Sequence, residues 1–280
     1  MIHALVLVGA LLLAVGARYG GWWFYEQRVG WWQRWPVAVL TLALPPLLLL
    51  SSTWAVVWMG VGGMMAAGPW GAYSYGLAAL ALGGAVLLLA WLAVQGYRSE
   101  AAARQLPRRH IQDWTVHVAP DPTLWAAQVG CWDPCLVVSQ GVLDRLGPNH
   151  LRAVLLHEQA HQTLGDPWLF LLLGWLRRWS WWLPKTEGLW QEVLVLREFR
   201  ADAWTVRYGD NLDLAEALWI FAAQHQPQVQ QQWAIGLASG SHAWQERLEA
   251  ILAPGEHQTG IPLLGWLLPL LPLLLVPLHH

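Results

Sequence analysis

Apolar and polar positions are segregated along the chain rather than interleaved. Ile2 to Ala17 carries no charge, and the 63 residues between Arg34 and Arg98 carry none either. A bilayer core about 30 Å thick is crossed by ~20 apolar helical residues. The first run predicts a retained span at about 2–17, since no Lys or Arg precedes it as in a cleaved leader. The second run fits two spans, about 37–59 and 75–96, with Gly68-Pro69-Trp70-Gly71 as the turn between them. Pro45-Pro46 predicts a kink, a defect that membrane helices tolerate. Ile261 to Leu278 is uncharged and holds Pro262, Pro269, Pro272 and Pro277. It reads as a fourth span, with a re-entrant or interfacial segment as the alternative.

Composition sharpens this division. Of 280 residues, 56% are hydrophobic and only 12% charged, against about 25% charged in ordinary soluble domains. The stretch 98–260 holds 13 of the 16 Lys and Arg and 17 of the 18 Asp and Glu. The chain therefore divides into a membrane domain at 1–97, a polar domain at 98–260 and a membrane-embedded segment at 261–280. Disorder is excluded by the low charge and high hydrophobicity. A disulfide scaffold is excluded by two cysteines, Cys131 and Cys135. A net charge of −2 gives no basic face for direct nucleic-acid binding. Arg18, Arg28 and Arg34 in the first loop, and Arg98, Arg104, Arg108 and Arg109 after the third span, place those loops in the cytoplasm. Trp22, Trp23, Trp31, Trp32 and Trp35 crowd the first loop, where an aromatic belt would sit.

The polar domain carries candidate chemistry. His157-Glu158-Gln159-Ala160-His161 is an H-E-x-x-H motif, and this composition would produce about 0.015 such matches by chance. Leu151, Val154, Leu155 and Leu156 precede it at helical spacing, and Pro148 suits a first helical turn. On a helix at about 149–164, residues four apart share a face, so both imidazoles can meet one ion. Glu158 is then placed to take a proton from a water on that ion. A catalytic zinc needs a third protein ligand and an open position. A helix at 187–208 offers Glu192, Glu198 and Asp202. Glu198 and Asp202 share a face, so one can ligate while the other hydrogen-bonds a ligand histidine; spacing does not choose among the three.

These residues resemble a family. His-Glu-Gln-Ala-His, Asp166 five residues on, and Arg-Glu-Phe-Arg-Ala-Asp at 197–202 are similar to the gluzincin membrane peptidases. The closest likeness is to the BlaR/MecR-type antirepressor peptidases, followed by the HtpX and CAAX-prenyl-protease type. The likeness covers about 115–252. It implies Glu198 as third zinc ligand and Asp202 as its partner behind the site. Ser241-His242 before Glu246-Arg247-Leu248 resembles a downstream motif whose histidine steadies the oxyanion; that motif reads His-Pro where Ala243 stands here. The segment 130–139 resembles the family's stretch ahead of the active helix. Val137-Val138 and Thr115 to Ala119 read as strands, and about 127–131 as an edge strand that holds extended substrate.

The expected protein is mainly α. It has about four transmembrane helices and a cytoplasmic α+β zinc-peptidase domain with a small sheet, in a bacterial inner membrane. The expected activity is zinc-dependent cleavage of a protein or peptide, such as a transcriptional repressor. The chain ends at His280, so no fused extracellular sensor is expected. An HtpX-like quality-control protease is the alternative in the same class, and a non-catalytic membrane adaptor the alternative in another. A transporter fits poorly, because the spans before Arg98 lack ionisable residues. Cys131 and Cys135 read as plain loop thiols. Trp168 to Trp175 is too short to cross and reads as either a bilayer-docking or a buried helix.

Overall fold

The computed structural model describes residues 2–28, 30–60, 69–224 and 240–253. Three long helices come first: α1 (Ile2–Glu26), α2 (Trp31–Met59) and α3 (Pro69–Ala103). Four strands follow: β1 (Arg108–Ile111), β2 (Trp114–Ala119), β3 (Ala126–Val129) and β4 (Cys135–Ser139). Helices α4 (Gln140–Arg145), α5 (Pro148–Thr163), α6 (Asp166–Trp179), α7 (Thr186–Tyr208), α8 (Asn211–Gln224) and α9 (Gly240–Leu252) complete the order. The run at 261–278 read as a fourth span lies outside the described residues. The chain divides into two compact units, one built from Met1–Leu92 and Leu172–Val193, the other from Ala93–Leu171 and Leu194–His257.

In the first unit α1, α2 and α3 are each long and apolar enough to cross a membrane. Leu5, Leu12, Leu13, Leu77, Leu80 and Leu87 are exposed on α1 and α3, as suits contact with lipid tails. α2 is the inner helix, 61% buried along its apolar window against 17% for α1 and 11% for α3. α1 and α2 approach closely at Gly21, where an added Cβ would lie 2.3 Å from Thr41 Oγ1. Two indoles of α6 fasten its C-terminal half to α3: Trp175 Nε1 donates to Ala85 O at 2.8 Å and Trp179 Nε1 to Ala81 O at 3.2 Å.

The helices outrun the uncharged runs that predict them. Charge marks where side chains reach polar surroundings, whereas the backbone stays helical beyond that point. The first loop therefore shrinks. Arg18, Trp22 and Trp23 belong to α1, and Trp31, Trp32, Arg34 and Trp35 to α2. Arg18 is fully buried, and its Nη2 donates to Leu42 O at 3.2 Å. The reason lies in α2, which runs unbroken through Pro36, Pro45 and Pro46. Pro46 has no N–H, so the carbonyl four residues earlier, that of Leu42, loses its helical donor. Arg18 supplies a replacement.

In the second unit the sheet order is β1-β2-β4-β3. β1 and β2 form an antiparallel hairpin, β2 and β4 run parallel, and β3 pairs antiparallel with β4. The strands read at 115–119 and 137–138 are β2 and β4; the edge read at about 127–131 overlaps β3, which ends at Val129, so that 130–131 belong to the turn. One face, with Val116, Val118, Leu136 and Val138, packs on Leu151, Val154 and Leu155 of α5. The other face, with Ala119 and Val137, covers Ala103 at the end of α3. The β3–β4 connection turns at Gly130 (φ 102°), where a Cβ would lie 2.6 Å from a Glu100 carboxylate oxygen. Arg104 closes the same corner, donating to Glu100 at 2.8 Å and to the Asp133 carboxylate at 2.5 Å.

Leaving a buried carbonyl unsatisfied costs about 1–3 kcal/mol. Arg18→Met is therefore expected to cost about 1–3 kcal/mol more in the native chain than beside Pro46→Ala, which returns a helical N–H to Leu42 O. Equilibrium unfolding of the four proteins of this cycle in detergent micelles measures the difference.

Candidate metal centre

α5 builds the first half of the site. Gly147 and Pro148 start the helix, and its apolar side against the sheet fixes its rotation. His157 and His161 then project one turn apart, ring centroids 4.9 Å apart and planes 89° apart. α7 supplies the other half. Glu198 Oε2 lies 3.3 Å from His157 Nε2, and Glu198 Oε1 lies 3.7 Å from His161 Nε2. One ligand atom from each of the three lies within 4.8 Å of the other two. This buried group could hold a metal ion.

The far side of each ring is also fixed. His161 Nδ1 donates to Asp166 Oδ2 at 2.7 Å, and His157 Nδ1 lies 3.0 Å from Asp202 Oδ1. A carboxylate only accepts, so each acid favours a proton on the Nδ1 that it faces; Glu198 faces His157 Nε2 in the same way, and that is the proton an incoming ion would displace. Arginines anchor the carboxylates in turn. Arg247 grips Asp202 with two bonds, at 2.7 and 3.0 Å. Arg200 Nη1 donates to Asp166 Oδ1 at 3.1 Å. Arg197 donates to Glu198 Oε1 at 2.8 Å.

Charge follows from this arrangement. Burial acts to lower the proton affinity of His157, but Asp202 and Glu198 outweigh it and push its pKa up to about 10. Burial acts to raise Glu198, yet Arg197, His157 and Arg247 hold it well below the ordinary carboxylate range. Asp202 is likewise lowered, with Arg247 the largest influence against burial. Glu158 goes the other way: burial raises its pKa despite the neighbouring imidazoles. Its Oε2 accepts from the backbone N–H of Gln128, on edge strand β3, at 3.1 Å.

The structure thus gathers His157, His161, Glu198 and Asp202, with Glu158 beside them on α5. Glu192, the competing ligand in sequence, is bonded to the Tyr25 hydroxyl in the first unit. His242 falls in the first turn of α9, and its side chain lies outside the described residues. In sequence Asp166 stands in the motif without a role, and nothing marks Arg197, Arg200 and Arg247 as anchors. The available signal was Arg at one residue before and two after Glu198, and an acidic residue directly after the Leu164-Gly165 break. Comparison of the chain with family models, with curated proteins and with solved structures finds no match.

A ligating imidazole must be neutral at the coordinating nitrogen. His157, protonated below about 10, is therefore expected to release a proton when an ion binds at pH 7. Affinity should rise with pH and level off above that value. Calorimetry in buffers of different ionisation enthalpy counts the proton. Asp166→Asn and Asp202→Asn should each weaken metal binding by about 10- to 100-fold, measured by competition with a chromophoric chelator.

Proposed function

We propose that the chain is a membrane-bound zinc metalloendopeptidase. The observation that carries this reading is the convergence of two imidazole Nε2 atoms and Glu198, with the carboxylate of Glu158 on the same helix as the histidines. Two histidines and a glutamate form a donor set suited to catalytic zinc, which leaves a position for water or substrate. Bound there, zinc supplies a Lewis acid for the scissile carbonyl and makes water easier to deprotonate.

The chain's own residues do the rest. Glu158 accepts a proton from the attacking water and passes it to the leaving amine; its raised proton affinity suits a group that must do both. Asp166 and Asp202 keep the rings oriented while charge changes in front of them. β3 is one of the two sheet edges, the one beside Glu158, and an extended substrate pairs with such an edge through backbone hydrogen bonds. His242 is the residue that the family resemblance offers for the developing oxyanion. By the same resemblance, the substrate is a protein such as a cytoplasmic transcriptional repressor. The enzyme then sits in a bacterial inner membrane by four spans, 261–278 being the last, with the peptidase domain in the cytoplasm.

Glu158→Gln tests the reading. The variant is expected to retain its metal by elemental analysis while losing cleavage by about 10²–10⁴-fold. Comparative proteomics of cells carrying either form should show fragments that vanish in the variant. Bound metal with no Glu158-dependent fragment would point instead to a non-catalytic adaptor.

A further inference from the structure

The connection between α6 and α7 packs among the three long helices of the first unit, and each of them measures its depth. Trp175 and Trp179 of α6 donate to Ala85 O and Ala81 O of α3 at 2.8 and 3.2 Å. Leu183 is buried in a cluster with Ala10 and Ala14 of α1 and Leu49 of α2, and Trp179 packs against that cluster. Ala14 stands 12 residues before Glu26, Leu49 stands 15 after Arg34, and Ala85 stands 13 before Arg98. At ~1.5 Å per residue, these contacts lie about 18, 22 and 20 Å from the charged ends of their helices. Half the hydrocarbon thickness of a bilayer is about 15 Å. All three helices therefore put Leu183 at one level, near the middle of their apolar lengths.

Backbone at that depth must satisfy its polar groups within the protein. The turn at 180–185 does so. Ser180 N–H donates to Leu176 O and Leu183 N–H to Ser180 O, both at 2.9 Å. The Thr186 hydroxyl donates to Leu183 O at 2.8 Å, with Ser180 O at 3.2 Å. Pro184 has no N–H to leave unmet. The charges beside the turn are also provided for. Arg177 donates twice to Glu187, at 2.9 and 2.7 Å. The Arg178 guanidinium lies 5.4 Å from the Trp91 ring centre, and Lys185 Nζ lies 4.9 Å from that of Trp22. Trp91 and Trp22 stand toward the charged ends of α3 and α1, so both cations bend back from the turn, as snorkelling side chains do. What the turn presents outward is aromatic: Trp181 is 76% exposed and Trp182 47%.

We infer that α6 and α7 form a re-entrant hairpin whose turn lies in the bilayer core, with lipid acyl chains covering Trp181 and Trp182. Depth selects this occupant, because hydrocarbon surrounds a helix bundle at that level. The 172–193 segment, which charge assigns to the polar domain, is then a further membrane element. The inference is independent of the peptidase reading.

The test uses the native full-length protein at one copy per lipid nanodisc. Hydroxyl-radical footprinting read by mass spectrometry should leave Trp181 and Trp182 as unmodified as the buried Trp35, while Trp219, 62% exposed in the second unit, is oxidised. Nanodiscs are then made with phospholipids carrying a diazirine either at the acyl-chain end or next to the glycerol. Photolysis should place adducts on the 180–185 peptide from the chain-end probe in preference to the glycerol-side probe. Oxidation of Trp181 as fast as that of Trp219 would overturn the hairpin and leave a water-facing loop. Adducts from the glycerol-side probe alone would overturn its depth. Protection without adducts, or protection found only in discs holding two copies, would overturn lipid as the occupant and assign this face to protein.

Discussion

The placement of one carboxylate, that of Glu198, between two imidazole nitrogens governs the rest of the second unit. A buried carboxylate is costly unless charge and hydrogen bonds surround it. Here Arg197 binds one oxygen and Arg247 approaches the other at 3.6 Å. The two histidines are held in the same way from behind, by Asp202 and Asp166, and those acids by Arg247 and Arg200. Acids and bases alternate outward from the centre. Removing any one member leaves a neighbour buried and uncompensated, so the network holds α5, the start of α6, α7 and α9 in mutual register.

How much of this was legible depends on how local each geometry is. His157 and His161 lie one helical turn apart, so their shared face follows from spacing alone. Glu198 and Asp202 share a face for the same reason, but which face turns toward α5 is a tertiary fact. Glu192 shows the point. It lies six residues before Glu198, about 240° around the helix at ~100° per residue, and points to Tyr25 instead. Asp166 reaches His161 only because the chain reverses at Gly165, whose φ is +72°. The arginines were still harder to read, since one on a polar surface looks the same in sequence as one that anchors a buried acid.

In the membrane helices the hydropathy pattern gave the number of described spans but not their ends. Arg18 interrupts the first apolar run, and a charge is ordinarily a sign that the chain has left the hydrocarbon. It is buried because the Pro45-Pro46 pair, eliminating backbone donors in α2, leaves the Leu42 carbonyl in want of one. Two features that each look like a boundary or a defect in sequence are one interaction in three dimensions.

That pairing has a consequence for biogenesis. An arginine in a lone apolar helix costs up to about 2.5–3.5 kcal/mol on insertion scales, less away from the centre, and α1 on its own offers Arg18 no counterpart to the Leu42 carbonyl. α2 on its own exposes the prolines' unmet carbonyls to lipid. Each helix is a poor passenger alone and a better one beside the other. The two are therefore suited to leave the insertion machinery as a helical hairpin, with the short 27–30 link holding them together until both have emerged.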